Sequence, residues 1–217
     1  MEKFDLAISK DRNFKVLCIG AHSDDIEIGC GGTNLRLLSE HDNLEVNWII
    51  LGAIGQRKVE AVSSANKFLA GAKRKRLFIK NFKESFFPYV GKEIKVFFEE
   101  VKKSVSPDII FTHYRNDLHQ DHRLVSELTW NTYRNHFILE YEIIKYDGDL
   151  GLPNFFVSLD EGTCRKKINY IMEVFKSQKH RDWFTPDSFY SILRIRGIEC
   201  RAREKYAEGF HCRKLVI

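Results

Sequence analysis

Proline is scarce in this chain, with four residues in 217, and no low-complexity tract or internal repeat occurs. Long linkers, disordered arms and solenoid arrays are thereby excluded. Cysteine occurs five times, as Cys18, Cys30, Cys164, Cys200 and Cys212, in odd number and without a Cys-x-x-Cys pair. A chain of this length needs no disulfide staples, and such thiols fit a reducing compartment. Long apolar runs are missing too, since no stretch approaches the ~20 residues that cross a bilayer. Residues 1–14 alternate charged and apolar positions and lack the apolar core of a secretory signal. These absences predict a soluble, cytoplasmic protein without a membrane span, and the length predicts a single domain over residues 1–217.

Charge of one sign is not concentrated either. The net charge is +5, and the basic stretches at 73–76, 165–167 and 194–203 are short, with acidic residues interspersed along the chain. They do not make a nucleic-acid arm and read as solvated surface with some attraction for an acidic substrate.

What is present is an alternation of apolar runs and helical spacing. Strands are expected at 15–20, 46–51, 76–79 and 108–112, with helices at 33–41, 58–69, 93–105 and 121–136 between and after them. Beyond residue 140 the pattern gives strands at 141–146 and 154–159 and helices at 164–178 and 186–202, the last interrupted by Gly197. The expected fold is α/β, a Rossmann-like, mostly parallel sheet covered by helices on both faces.

Two polar segments follow two of the strands. His22-Ser23-Asp24-Asp25 lies after the first, and His113 to His122 after the fourth, including Asp117, His119 and Asp121. Open α/β sheets bind ligands outside the carboxyl ends of their strands, so segments far apart in sequence meet there. Pooled, they offer imidazoles and carboxylates without thiolates, a set suited to a catalytic zinc with three protein ligands and a position left for water. A single strand-end histidine, or an aspartate capping a helix, would ordinarily be structural. Two such clusters at two strand ends point to a site.

Residues 21–33, AHSDDIEIGCGGT, resemble the His-Pro-Asp-Asp-Glu motif and glycine-rich turn of the LmbE-like (PIG-L) N-deacetylases. Residues 117–122, DLHQDH, are similar to that family's Asp-x-His-x-Asp-His signature. Ser23 departs from the common proline. Weaker likeness runs through 57–60, 152–156 and 206–208. The resemblance implies an LmbE-like fold and a zinc-dependent hydrolase that removes an N-acetyl group from an amino sugar or N-acetylglucosamine-type conjugate, with other divalent ions such as Fe2+ able to replace zinc. It implies His22, Asp25 and His122 as metal ligands and Asp24 as the general base for a metal-activated water. His119 is expected to stabilise the oxyanion, held protonated by a hydrogen bond from one ring nitrogen to Asp121. Arg57 matches a family arginine and would bind substrate, or else serve as a surface charge paired with Glu60 or Glu84. Asp117 is expected to orient a ligating histidine, and Glu27 to do the same or to face solvent. The expected partner is a small molecule, with no nucleic acid. The alternative is a non-catalytic metal- or carbohydrate-binding protein, or a nucleotide-binding Rossmann-like module. Gly29, Gly31 and Gly32 suit anion binding at a helix N-terminus, but Asn34 stands where G-x-G-x-x-G needs its last glycine.

Overall fold

β1 (Phe14–Gly20) is apolar at consecutive positions because both of its faces are buried: Val16 and Cys18 enter one core, Leu17 and Ile19 another. Such a strand needs cover on both sides. The computed structural model, which describes residues 13–216, supplies it. β2 (Leu44–Ile50) and β3 (Arg74–Ile79) extend the sheet on one side of β1, and β4 (Ile109–His113) and β5 (Phe137–Tyr141) on the other, all parallel. β6 (Phe155–Leu159) pairs with β7 (Tyr206–Cys212), which runs antiparallel to both β5 and β6. The order is β3-β2-β1-β4-β5-β7-β6. One core is covered by α1 (Asp25–Glu40), α2 (Gln56–Phe68), α5 (Glu161–Val174) and α6 (Pro186–Glu199), which contribute Ile26, Ala61, Ile171 and Leu193. The other is covered by α3 (Gly91–Ser104) and α4 (Gln120–Thr132) through Phe97 and Val125.

The winding direction reverses at β1. The chain leaves β1 towards β2, whereas β4, on the other edge of β1, leads away towards β5. Connections that diverge from neighbouring parallel strands leave a crevice at their carboxyl ends. Both polar segments open into it.

The sheet matches the expected architecture, with four local differences. α1 begins at Asp25 rather than near residue 33, because it is broken at Cys30 (φ −141°, ψ 18°) and its helical spacing is interrupted there. The second half of the helix would otherwise present bare N–H groups. Glu208 on β7 accepts from the amides of Gly32 (2.8 Å) and Thr33 (2.7 Å) and from the Thr33 hydroxyl (2.6 Å). Lys167 donates to Glu208 (2.6 Å) and to the Ile28 carbonyl (2.7 Å). A Cβ on Gly32 would press on the Leu159 side chain and lie 2.9 Å from Glu208, so any larger residue would have to displace the carboxylate from the amides. The anion at this helix N-terminus is therefore a carboxylate of the chain itself, and the place a nucleotide phosphate would take is filled.

β5 lies at 137–141 rather than 141–146, and β7 had no counterpart in the sequence reading, since Glu208, Gly209 and His211 mask its alternation. Gly197 does not break α6. A Cβ there would lie 2.1 Å from the Lys205 carbonyl oxygen, so the glycine admits the chain entering β7. All five cysteines are free. No helix among the described residues is long and apolar enough to cross a membrane. The segment read as lacking a signal sequence lies, apart from Asn13 and Phe14, outside the described residues.

Candidate metal centre and active site

The β1 and β4 connections bring His22, Asp25 and His122 together in the crevice. His22 Nδ1 lies 3.2 Å from His122 Nε2 and 3.5 Å from Asp25 Oδ2, and His122 Nε2 lies 3.6 Å from Asp25 Oδ2. Bonds of about 2.0–2.2 Å in a tetrahedral centre separate ligand atoms by roughly 3.3–3.6 Å. The three atoms are thus spaced as one metal ion requires.

The far nitrogen of each imidazole is held by a carboxylate. His122 Nδ1 pairs with Asp117 (2.9 Å) and His22 Nε2 with Asp121 (3.0 Å). With protons on those outer nitrogens, the inner ones carry lone pairs that face each other, an arrangement a cation resolves. His113 stacks on His122 with ring centroids 3.9 Å apart, and its Nε2 sits 3.1 Å from Asp25. That nitrogen already accepts from the Ala21 amide at 2.9 Å, so its lone pair is engaged away from the triangle and His113 packs against His122 rather than joining the ligand set.

The electrostatics are those of a cation site. Burial opposes charge on His22, but Asp25 and Asp121 outweigh it and raise the imidazole to about 9. Burial and the neighbouring His113 push His122 down to about 3. Burial would raise the Asp25 and Asp117 carboxyls, yet the surrounding imidazoles, joined at Asp117 by Lys145, hold both well below the usual range. A divalent ion can replace the proton that His22 retains.

Asp117→Asn is expected to weaken metal affinity 10–100-fold, because a neutral amide binds the His122 N–H less firmly. Competition against a chromogenic chelator measures it, and affinity unchanged within twofold would contradict the role.

Asp24 and Arg57 flank the triangle. Arg57 donates from Nη2 to Asp24 Oδ1 at 3.0 Å, its Nε lies 3.6 Å from Glu84, and its Nε and Nη1 are buried without hydrogen-bond acceptors. Of the two pairings considered for Arg57, Glu84 is found. Glu60, by contrast, accepts from the Ser177 amide (3.0 Å) and hydroxyl (2.5 Å). Asp24, Arg57 and Glu84, together with His119, Lys145, Arg181 and Trp183, line a pocket that opens over the triangle.

A family model described as PIG-L, GlcNAc-PI de-N-acetylase, matches residues 17–133, more than half of the chain. The chain belongs to the PIG-L family. Among solved structures it is similar to N,N'-diacetylchitobiose deacetylase from Pyrococcus horikoshii (22% identity, 97% of this chain and 87% of that one, TM-score 0.65). It also resembles the 4-carboxy-2-hydroxymuconate hydratase GalB from Pseudomonas putida KT2440 (17%, 94% and 98%, TM-score 0.74). A zinc-inhibited teicoplanin deacetylase matches at 14% identity, over 89% and 96%, with TM-score 0.69. At these identities the likeness is one of fold, and that fold carries both deacetylases and a hydratase.

The structure brings His22, Asp24, Asp25, His119, Asp121 and His122 together at one crevice, and it differs from the expectations for Asp121 and for Glu27. Asp121 does not hold the His119 ring. Its carboxylate is taken by His22 and by the amides of Ser85 (2.6 Å) and Phe87 (3.1 Å), three donors that use its capacity. His119 Nδ1 instead accepts from the Asp121 backbone amide at 3.2 Å. Burial and the positive charge of His22 lower the His119 pKa. With Nδ1 accepting from backbone, the ring's Nε2 is the nitrogen left to face the pocket. The sequence reading also missed Lys145, 3.0 Å from Asp117, and the loop carrying Gln178 and Arg181, for which no motif gives a signal.

Glu27 neither orients a ligand nor faces solvent. It is fully buried, and the Ser64 hydroxyl is the one side-chain group near enough to bond it, at a geometry too poor to count as a full hydrogen bond. Burial, with the charges of Asp24 and Asp25 behind it, raises its carboxyl from 4.5 to about 8. The folded state keeps a proton between those values that the unfolded state has lost, so stability falls as pH rises through that window. In the metal-free protein Glu27→Gln is expected to leave stability near pH 5 little changed and to raise it by roughly 1–3 kcal/mol at pH 8. Urea unfolding at both values checks this, and parallel pH dependences would contradict it.

Proposed function

We propose that the chain is a metal-dependent deacetylase, folded as one domain, that hydrolyses the N-acetyl group of an amino sugar or N-acetylglucosamine-type conjugate. The observation that carries this reading is the His22–Asp25–His122 triangle with Asp24, a carboxylate outside it, at the floor of an open pocket. Two imidazoles and one carboxylate suit zinc, with Fe2+ as an alternative. Held there, the ion supplies a Lewis acid for the acetyl carbonyl and acidifies water beside it.

The remaining work falls to the side chains. Asp24 Oδ1 is held by Arg57, while Oδ2 has no partner among the described residues and takes the proton of the attacking water. His119, its Nδ1 engaged by backbone, offers Nε2–H to the carbonyl oxygen as negative charge gathers there. The C–N bond breaks, the proton collected by Asp24 passes to the nitrogen, and acetate and a primary amine leave. Asp121 acts on His22, fixing which ring nitrogen faces the metal position. Arg57 lines the pocket beside Asp24, and we assign it to substrate binding through its planar fork.

The test is acetate and amine release from N-acetylglucosamine, diacetylchitobiose and nucleotide-linked N-acetylglucosamine by metal-loaded protein. The expected result is acetate and amine in equal amounts from at least one of them. Metal-loaded protein that releases acetate from none would count against the reading.

A further inference from the structure

The pocket wall opposite the motif residues comes from the chain between α5 and α6 and from the connection after β5. Three cations line the pocket: Arg57, Lys145 and Arg181. Arg57 is neutralised by Asp24 and Glu84, and Lys145 by Asp117 and Asp149. Arg181 differs. Among the described residues its side chain makes one hydrogen bond, from Nε to the neutral Gln178 Oε1 at 2.9 Å, and forms no ion pair. Asp147 lies on the same pocket but is not paired with it.

Arg181 is exposed at the pocket wall, and the turn that carries it is held in place. Buried Glu60 fixes Ser177, the next residue Gln178 is buried, and the Arg181 amide donates to the Gln178 carbonyl at 3.0 Å. The Arg181 carbonyl in turn accepts from Phe184, a core residue, at 3.0 Å. The Asp182 amide donates to the Tyr146 hydroxyl at 3.2 Å, tying this turn to the facing connection. A guanidinium anchored through Nε, with both Nη groups uncommitted, is a fork set for two oxygens of one acid group. Fixing it beforehand lowers the ordering cost of binding. Trp183, two residues on and partly buried, lines the same wall, where an indole suits contact with a sugar ring.

We infer that Arg181 is a specificity-determining residue that binds an anionic substituent, phosphate or carboxylate, so that the preferred substrate is an acidic conjugate of an N-acetylated amino sugar. The inference rests on the deacetylase reading for the identity of the sugar. Arg181 pairs through Nη1 and Nη2 with two anion oxygens while Trp183 covers the sugar and the acetamide reaches the triangle. A neutral glycoside leaves the fork unused.

The test uses amines that cannot be deacetylated: glucosamine 1-phosphate, carboxymethyl glucosaminide and the neutral methyl glucosaminide. Their affinities for metal-loaded protein are measured by calorimetry. At least one acidic amine is expected to bind about tenfold or more tightly than the neutral one, and the phosphate and carboxylate arms show which anion is read. Arg181→Gln is expected to remove that gap, and Arg181→Lys to restore part of it. Equal affinities in the wild type, no binding of any amine, or a gap that survives in Arg181→Gln would each overturn the inference. Acetate release is scored separately. A gap that depends on Arg181, without acetate release from the matching N-acetyl compounds, would sink the deacetylase reading and leave the anion site standing.

Discussion

Asp24→Asn is expected to lower kcat by about 10³-fold while metal content stays at that of the wild type. Asparagine keeps an oxygen for Arg57, whose Nη2 bonds Asp24 Oδ1 at 3.0 Å, and it fills the same volume. It cannot take a proton from water, so the loss falls on the chemical step. Asp24 also lies outside the triangle formed by His22, Asp25 and His122, so the ion should bind as before. Steady-state kinetics beside elemental analysis separate the two effects. Activity within tenfold of wild type would remove Asp24 as the base, and loss of metal together with activity would make it a ligand.

Glu208→Ala is expected to cost roughly 3–5 kcal/mol of stability. Glu208 satisfies two amides and a hydroxyl at the restart of α1 and pairs with Lys167, both side chains being 2% exposed. Alanine would leave a buried ammonium without its counter-charge and three donors without an acceptor. For a chain of this size the melting temperature should fall by about 10 °C or more. Calorimetry provides the measurement, and a loss under about 1 kcal/mol would show that water replaces the carboxylate. The effect matters for the site because α1 begins with Asp25. Releasing the kink would let one corner of the triangle move.

Much of this arrangement was legible in the sequence, because the informative residues are local. Apolar runs followed by helical spacing predicted the parallel half of the sheet, and the strand order then places the connections after β1 and β4 beside each other. His22, Asp25 and His122 could be grouped from motif likeness, and the fold brings their ring nitrogens and carboxylate within 3.6 Å.

Partnerships between distant elements were not legible. Asp121 lies two residues from His119, which made a side-chain pair between them attractive, but the 84–87 turn and His22 converge on its carboxylate from other elements. The glycines at 29–32 read as an anion cradle, and they are one, but the anion lies 176 positions away in sequence, at Glu208. β7 escaped for the same reason: its polar residues are explained only by what they meet across the sheet. Arg181 carries no sequence signal, since only the fold shows that the carboxylates neutralising the other pocket cations do not reach it.

The most direct measurement is a metal titration of chelator-treated protein, wild type and His122→Ala, read by both calorimetry and acetate release from an N-acetylated amino sugar that the wild type turns over. The account predicts that activity returns in proportion to bound ion and saturates at about one per chain, with the variant losing tight binding and turnover together. Acetate release that persists in metal-free protein, or a variant that binds and works as the wild type does, would contradict it.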